Sequence, residues 1–277
     1  MATDLSNVID YLSSELGDTN QIVIEHVFND KDEIKIYPFV DLHFGDVNTD
    51  VAQCERFINQ VKKDPNVYLM YLGDNMNNAV KTSVSNVYNE TRSPHEQKKY
   101  LIELLKPVAD RFLCFVPGNH EGRTSKDSDV SLVEDIADRL ECSKLYRENI
   151  AFMDVKVGYN SHLKQQNSYR IAGLHGSGGG KHVGSMINNL ENFGYAISGL
   201  DIIVCGHTHK KAASRPGRIC FPTTNSKKMV QNDFLTCIAP PWQYWGGYAS
   251  RGMFRPSTKG YTPIILNGKH KEFNTIV

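Results

Sequence analysis

The strongest constraint in this chain is a repeated junction, in which an apolar, strand-like run breaks off and the next residues are metal-ligating or acid–base types. Phe112-Leu113-Cys114-Phe115-Val116 leads into Gly118-Asn119-His120-Glu121. Residues 33–40 lead into Asp41-Leu42-His43, residues 67–72 into Gly73-Asp74-Asn75, residues 168–174 into His175, and residues 201–205 into Gly206-His207-Thr208-His209. The crevice of an open α/β sheet lies outside the carboxyl ends of its strands, so a chain built this way is expected to gather those ends at one place. The stretches between the runs carry helical spacing. Val51, Cys54, Phe57, Ile58 and Val61 mark a helix over 49–63, and residues 95–108 and 129–140 have the same three- and four-residue rhythm. Strand, helix, strand alternation predicts a largely parallel α/β sheet.

Elsewhere the patterns are local. Leu5, Val8, Ile9, Leu12 and Leu16 predict an amphipathic helix over 4–16, stopped by Gly17, so that residues 1–18 read as an N-terminal helical addition. Residues 21–28 and 33–40, separated by Asn29-Asp30-Lys31-Asp32, predict a hairpin or adjacent strands. Residues 150–157 and 167–174 predict a strand pair around a polar loop, and a helix-like stretch runs to about Tyr195. Beyond His209 the pattern is strand-like around Ile219, 234–238 and 261–266, with no helix and with an aromatic loop from Trp242 to Tyr248. No repeat or linker divides the chain, so the expectation is a single domain over 1–277 whose residues 210–277 form a basic, β-rich C-terminal part.

Composition bounds the setting. Apolar residues make up 40% of the chain, enough for a sizeable core. No run nears the eighteen or so apolar residues of a membrane span, and the acidic N-terminus lacks a basic-then-apolar signal pattern, so a cytoplasmic protein with no membrane partner is expected. The six cysteines form no C-x-x-C pair and read as reduced, buried thiols. Net charge is zero, but residues 210–277 hold 11 Lys/Arg against 2 acids, 11 − 2 = +9, which leaves −9 on residues 1–209.

Side chains two apart in an extended segment point the same way, so Asp41/His43 and His207/His209 each present a pair of donors in one direction. Two metal ions about 3.5–4 Å apart call for a bridging anion, and Asp74 at its own strand tip could supply it. A nitrogen–oxygen donor set without thiolate favours manganese, iron or zinc.

In order and type these fragments resemble the calcineurin-like metallophosphoesterase superfamily, and the run as a whole is similar to phage or bacterial stand-alone phosphoesterases. The resemblance covers most of residues 33–209. It implies an α/β four-layer sandwich, two packed mixed β-sheets flanked by helices, and two divalent metal ions, Mn2+ first with Fe or Zn as alternatives. By the same resemblance Asp41, His43, Asp74 and His209 hold one ion, and Asp74, Asn119, His175 and His207 the other. His175 is taken over His162 and His182 because it ends a strand. A metal-bridging hydroxide would attack phosphorus while His120 assists the leaving group, with Glu121 orienting His120. Arg123 either clamps phosphate or is a solvated charge. Lys181, after the glycine run 176–180, either helps to cradle phosphate or belongs to a spacer; the P-loop pattern itself fails, because His175 and His182 occupy its glycine and Ser/Thr positions.

Substrate is the open part of the reading. Asp74 is followed by Asn75-Met76-Asn77-Asn78 where protein phosphatases carry Asp-Arg-Gly, and Glu121 stands where repair nucleases usually have aspartate. The basic C-terminal part, with Arg251, Arg255 and Lys259 flanking the aromatic loop, points to a phosphodiesterase or nuclease acting on single-stranded nucleic acid or a nucleotide, because cations follow phosphates and aromatic faces stack on bases. The alternatives are a solvated basic face balancing the acidic remainder, with the loop aromatics in the core, a phosphomonoesterase for small molecules or proteins, and a metal-free scaffold such as a polymerase-accessory subunit. The complete ligand set counts against the scaffold.

Overall fold

The computed structural model describes residues 20–81, 83, 87–162, 164–180, 182–222 and 228–277. The helix expected over 4–16 and the phosphate-cradling role considered for Lys181 lie outside the described residues.

The strands are β1 (Ile24–Phe28), β2 (Glu33–Phe39), β3 (Val67–Tyr71), β4 (Phe112–Phe115), β5 (Ile150–Asn160), β6 (Gln165–Leu174), β7 (Ile202–Cys205), β8 (Ala212–Ser214), β9 (Gly217–Cys220), β10 (Val230–Asp233), β11 (Leu235–Ile238), β12 (Ile264–Asn267) and β13 (Phe273–Thr275). They form a six-stranded sheet in the order β1-β5-β6-β7-β11-β8, a five-stranded sheet in the order β13-β12-β2-β3-β4, and a separate β9–β10 ribbon. Within the large sheets β2, β3 and β4 run parallel, as do β6, β7 and β11, while β5/β6, β11/β8, β12/β2 and β12/β13 are antiparallel.

Strand β3 explains the layering. All five of its residues are buried, as expected of a central strand covered on both faces. Tyr68, Met70 and the following Leu72 meet Met153, Val155, Ile171 and Val204 of the other sheet. Val67, Leu69 and Tyr71 face the opposite way, onto Phe57, Leu101 and Ile136 of the flanking helices. The outer face of the six-stranded sheet is covered in turn, with Ala172, Ile203 and Ile238 against Met186 and Leu190. The result is four layers, helix, sheet, sheet, helix.

The helices follow local rules. Val51–Lys63 begins where the Asp50 side chain accepts the Gln53 N–H and buries the stripe Cys54, Phe57, Ile58, Val61. Pro94–Leu105 starts with a reciprocal Ser93/Glu96 capping box and Pro94 in its first turn. Leu132–Arg139 is capped by Ser131, and Val183–Ala196 buries Met186, Leu190 and Gly194.

Two expectations fail for identifiable reasons. Residues 21–28 and 33–40 are not a hairpin, since β1 pairs in parallel with β5, whereas β2 lies in the other sheet. The turn chemistry between them was real but joins two sheets. The region past His209 does contain a short helix, Gly247–Arg251, beginning at the end of the aromatic loop, and Gly122–Ser128 is a second short helix without an apolar stripe. Residues 210–277 are woven into both sheets, through β8 and β11 in one and β12 and β13 in the other.

Trp242 marks that integration. Its ring is fully buried against Phe39, Phe57 and Tyr261, so it belongs to the core and not to a stacking surface. Truncating a buried aromatic to alanine costs about 3–5 kcal/mol. Trp242→Ala is therefore expected to lower the unfolding free energy by that amount in a denaturant titration, and a loss below about 1 kcal/mol would contradict its core role.

Candidate metal centre

The strand-end junctions turn sharply. Asp41, His43, Asp74, His207 and His209 have φ of 53°, 49°, 50°, 66° and 52°, all left-handed. Asp and His tolerate this region better than most residues, yet such conformations persist only where the surroundings enforce them. The donor pairs therefore converge by a left-handed turn at each donor, and not by the flat strand alternation expected from sequence; Leu42, between the first pair, is buried in the core. Backbone bonds continue past the strands to hold these turns: Asp41 N–H donates to Gly73 O (3.1 Å), His43 N–H to Asp74 O (2.9 Å) and Gly206 N–H to His175 O (3.0 Å).

Two loops meet without side chains between them. A β-carbon on Gly73 would lie 2.1 Å from the Gly118 nitrogen, and one on Gly118 would lie 2.2 Å from Asp74 Oδ1. Glu121, itself buried, closes this contact. Its carboxylate accepts the backbone N–H groups of Asp74 (2.8 Å), Asn75 (2.9 Å), Met76 (3.1 Å) and Gly118 (3.1 Å), and the Tyr71 hydroxyl at 3.3 Å. Glu121 thus serves the backbone of the two loops, where the sequence had pointed it at His120.

The side chains then cluster. Asp41, His43 and His209 offer ligand atoms within 4.8 Å of one another, and so do Asp74, His175 and His207. His43 Nε2 and His209 Nε2 are 2.9 Å apart. His175 Nε2 lies 3.1 Å from Asn119 Oδ1, 3.2 Å from Asp74 Oδ2 and 3.2 Å from His207 Nδ1. The Leu72 carbonyl accepts the His175 Nδ1 proton at 2.8 Å, which leaves Nε2 for the cluster. All seven sequence-predicted donors therefore come together.

Electrostatics describe a site short of positive charge. Burial pushes His43 well below its ordinary value, His209 down to about 4, and His207 lower as well, so these rings are neutral. Burial would lower His175 too, but the Asp74 carboxylate overrides it and raises the ring to about 9, while His175, opposing the effect of burial, holds Asp74 well below the carboxylate range. Asp41 is raised well above that range, chiefly by burial. Both its oxygens are buried, and among the described residues neither makes a hydrogen bond, while the charged His175 and the nearby His207 backbone N–H work against the rise. A buried carboxylate without donors is unfavourable unless a cation neutralises it. That orphaned acid, among imidazole donors and with no thiolate in the set, fits a divalent ion.

His120 sits at the edge of the cluster, its Nε2 3.8 Å from Asp74 Oδ2 and its backbone N–H on Asp74 Oδ1 at 2.7 Å. Its ring is locked from two sides. Nδ1–H donates to Asn77 O (2.7 Å), and Arg123 Nη2, which can only donate, puts a proton toward Nε2 at 2.9 Å. Arg123 Nη1 shares Asn77 O at 3.0 Å. Sequence reasoning missed the network behind this. Asn78, itself left-handed, donates to His120 O and to Thr124 Oγ1, while its N–H is taken by Gln97; Glu90 accepts from both Asn77 and Gln97. The signal was the asparagine run after Asp74, read from sequence only as a departure from a phosphatase pattern.

The outer residues divide. Arg251 and Arg255 are exposed just past the aromatic loop, and among the described residues no hydrogen bond or ion pair ties them to the donor cluster. Tyr244 and Trp245 are 55% and 52% exposed, with Lys259 Nζ 3.7 Å above the Tyr244 ring. Their loop is fastened to the first junction, since Trp242 N–H donates to Asp41 O (3.1 Å) and Tyr244 N–H to Asn48 O (2.8 Å). Much of the basic charge is already paired, Lys259 with Asp50, Lys269 with Asp32, Lys271 with Asp201 and Arg215 with Asp233.

The family model for calcineurin-like phosphoesterases matches residues 41–211, well over half of the chain and the whole span from the first donor to just past the last. The chain belongs to that family and is a metal-dependent, phosphoester-hydrolysing enzyme. No curated protein matches it at a significant level. Among the described residues no helix is long and apolar enough to cross a membrane.

Metal loading has a proton signature. The His175 charge stabilises the metal-free fold below its ordinary value of 6.5, and that contribution is lost as pH rises through about 9. A cation must displace this proton, so Mn2+ binding near pH 7.5 is expected to release at least one proton per chain. Calorimetry in two buffers of different ionisation enthalpy measures the number, and release of none would contradict the His175–Asp74 pair.

Proposed function

We propose that the enzyme is a dinuclear phosphodiesterase acting on a nucleotide or a short single strand of nucleic acid. In this reading Asp41, His43, Asp74 and His209 hold one divalent ion, Asp74, Asn119, His175 and His207 the other, with manganese favoured over iron or zinc. Two ions so held supply Lewis-acid charge and a bound water of lowered pKa. The remaining chemistry belongs to the chain. His120 is the proton donor to the leaving oxygen, through Nε2, because Nδ1 is committed to the Asn77 carbonyl. That role requires Arg123 to release Nε2, and a phosphate oxygen is the partner a guanidinium prefers, so substrate arrival moves Arg123 from the imidazole to the phosphate and frees the ring to carry its proton.

The observation that carries the choice of substrate is the half-exposed Tyr244–Trp245 pair on a loop bonded to Asp41 and Asn48. Exposed aromatics beside a phosphoester centre are stacking faces for bases, worth about 1–3 kcal/mol each. The intramolecular pairing of Lys259, Lys269, Lys271 and Arg215 favours a short substrate over a long strand tracked by a basic groove.

Two measurements test this. His120→Ala is expected to lose about 10²–10⁴-fold in kcat with metal content unchanged, and least with leaving groups that need no proton. Loss of metal from that variant would make His120 a ligand instead. A Tyr244→Ala/Trp245→Ala double variant is expected to bind a dinucleotide and a short oligonucleotide about tenfold or more weakly, in line with the loss of one or two stacked bases. Equal binding by the variant, or none by the native chain at low salt, would return the assignment to a small phosphomonoester.

A further inference from the structure

A small apolar slot opens beside the second half of the donor cluster. Its volume is about 120 Å³. The floor consists of residues that flank the donors in sequence, Leu174 and Gly176 on either side of His175, and Gly206 and Thr208 on either side of His207. The wall is one face of the helix Val183–Ala196, with Met186 and Leu190 buried and Phe193 45% exposed at the mouth. The spacing 186, 190, 193 follows helical periodicity. That helix packs closely because Gly194 lies against Phe234, where a β-carbon would come within 2.4 Å of the ring. Beyond the donors themselves, nothing described for the phosphoester chemistry uses these side chains.

We propose that this slot is a specificity subsite for a single planar ring on one ester group of the substrate, either a pyrimidine base or an aryl group. This rests on the phosphoesterase reading above and extends it. Size sets the class, because an apolar cavity of about 150 Å³ takes a benzene-sized ring, so 120 Å³ open to solvent at one side takes one ring and not the fused pair of a purine. Chemistry agrees. Met186 offers a polarisable thioether and Phe193 an aromatic face, both of which favour a flat ring over an alkyl chain. Asn189 is exposed on the same helix face and lines the slot, and the Thr208 hydroxyl, buried, has no hydrogen-bond partner among the described residues. Position agrees too. The chain neighbours of His175 and His207 line the slot, so it adjoins that half of the donor cluster, whereas the loop of Tyr244 and Trp245 is bonded to the Asp41 junction on the other half. A diester has two ester groups.

Calorimetry on the metal-reconstituted protein tests the slot with uridine 5′-monophosphate, adenosine 5′-monophosphate, phenyl phosphate and ribose 5-phosphate. The native chain is expected to bind the uridine nucleotide at least about tenfold more tightly than ribose 5-phosphate, the low end of what stacking one base supplies, and more tightly than the adenosine nucleotide. Leu190→Trp, which fills the slot, and Phe193→Ala, which opens its exposed mouth, are expected to bring the uridine-to-ribose ratio toward one. The ratio is internally normalised, since a misfolded variant loses ribose 5-phosphate as well. Phenyl phosphate binding more tightly than the uridine nucleotide identifies an aryl ester as the source of the ring, and the reverse order identifies a pyrimidine. Equal native affinities for the uridine nucleotide and ribose 5-phosphate overturn the proposal, and so does a ratio that survives in both variants. Hydrolysis of bis(p-nitrophenyl) phosphate on the same samples separates the two levels. Turnover without ring preference removes the slot and leaves the enzyme reading, whereas ring preference without turnover does the opposite.

Discussion

The Glu121 carboxylate fixes the relation between the loop that carries Asp74 and the loop that carries Asn119 and His120. Four backbone N–H groups converge on it, three from consecutive residues of the first loop and one from the second. Burial and the nearby Asp74 charge raise its pKa, while those N–H groups work against the shift. An anion held this way needs loops that approach backbone to backbone, which is why Gly73 and Gly118 face each other with no room for a β-carbon. Replacing Glu121 would leave buried donors unsatisfied at about 1–3 kcal/mol each, so the clamp stabilises the fold and aims the site in one act.

The donor cluster is unfavourable on its own. Five left-handed donors and an Asp41 carboxyl without hydrogen bonds cost free energy, which the neutral His43 and His209 do not offset and the charged His175 offsets only in part. A divalent cation relieves the electrostatic part of that cost. In its absence the Asp74–His175 ion pair is the internal substitute, and it has to be broken when the cation enters. Around this strained centre the two large sheets supply stiffness, since the parallel strands of both bring their carboxyl ends to one edge.

Much of this was legible in sequence because strand-end chemistry leaves adjacent signals. An apolar run followed by Asp-x-His or His-x-His names both the element and the donor, and the fold class follows from the alternation of such runs with helices. What stayed hidden depends on contacts distant in sequence. That β1 pairs with residues 153–157 and not with β2 cannot be read from the intervening turn. The partners of Glu121 are backbone amides, which carry no residue-type signal at all. That Trp242 in particular is the core ring of its loop was hidden as well, because a run of aromatics does not say which ring turns inward to Phe39 and Phe57. Left-handed backbone at Asp and His is equally silent, and so are strands as short as β8, β10 and β13, which offer too few residues for a period to show.

Asp74 is placed to join two metal positions built on loops clamped by Glu121. Anomalous diffraction from manganese-soaked crystals, with metal analysis of the same preparation, tests it most directly. Two ions per chain about 3.5–4 Å apart with Asp74 between them are expected, and loss of both in Asp74→Ala. A fully active sample with a single ion, or two ions that share no Asp74 oxygen, would contradict it.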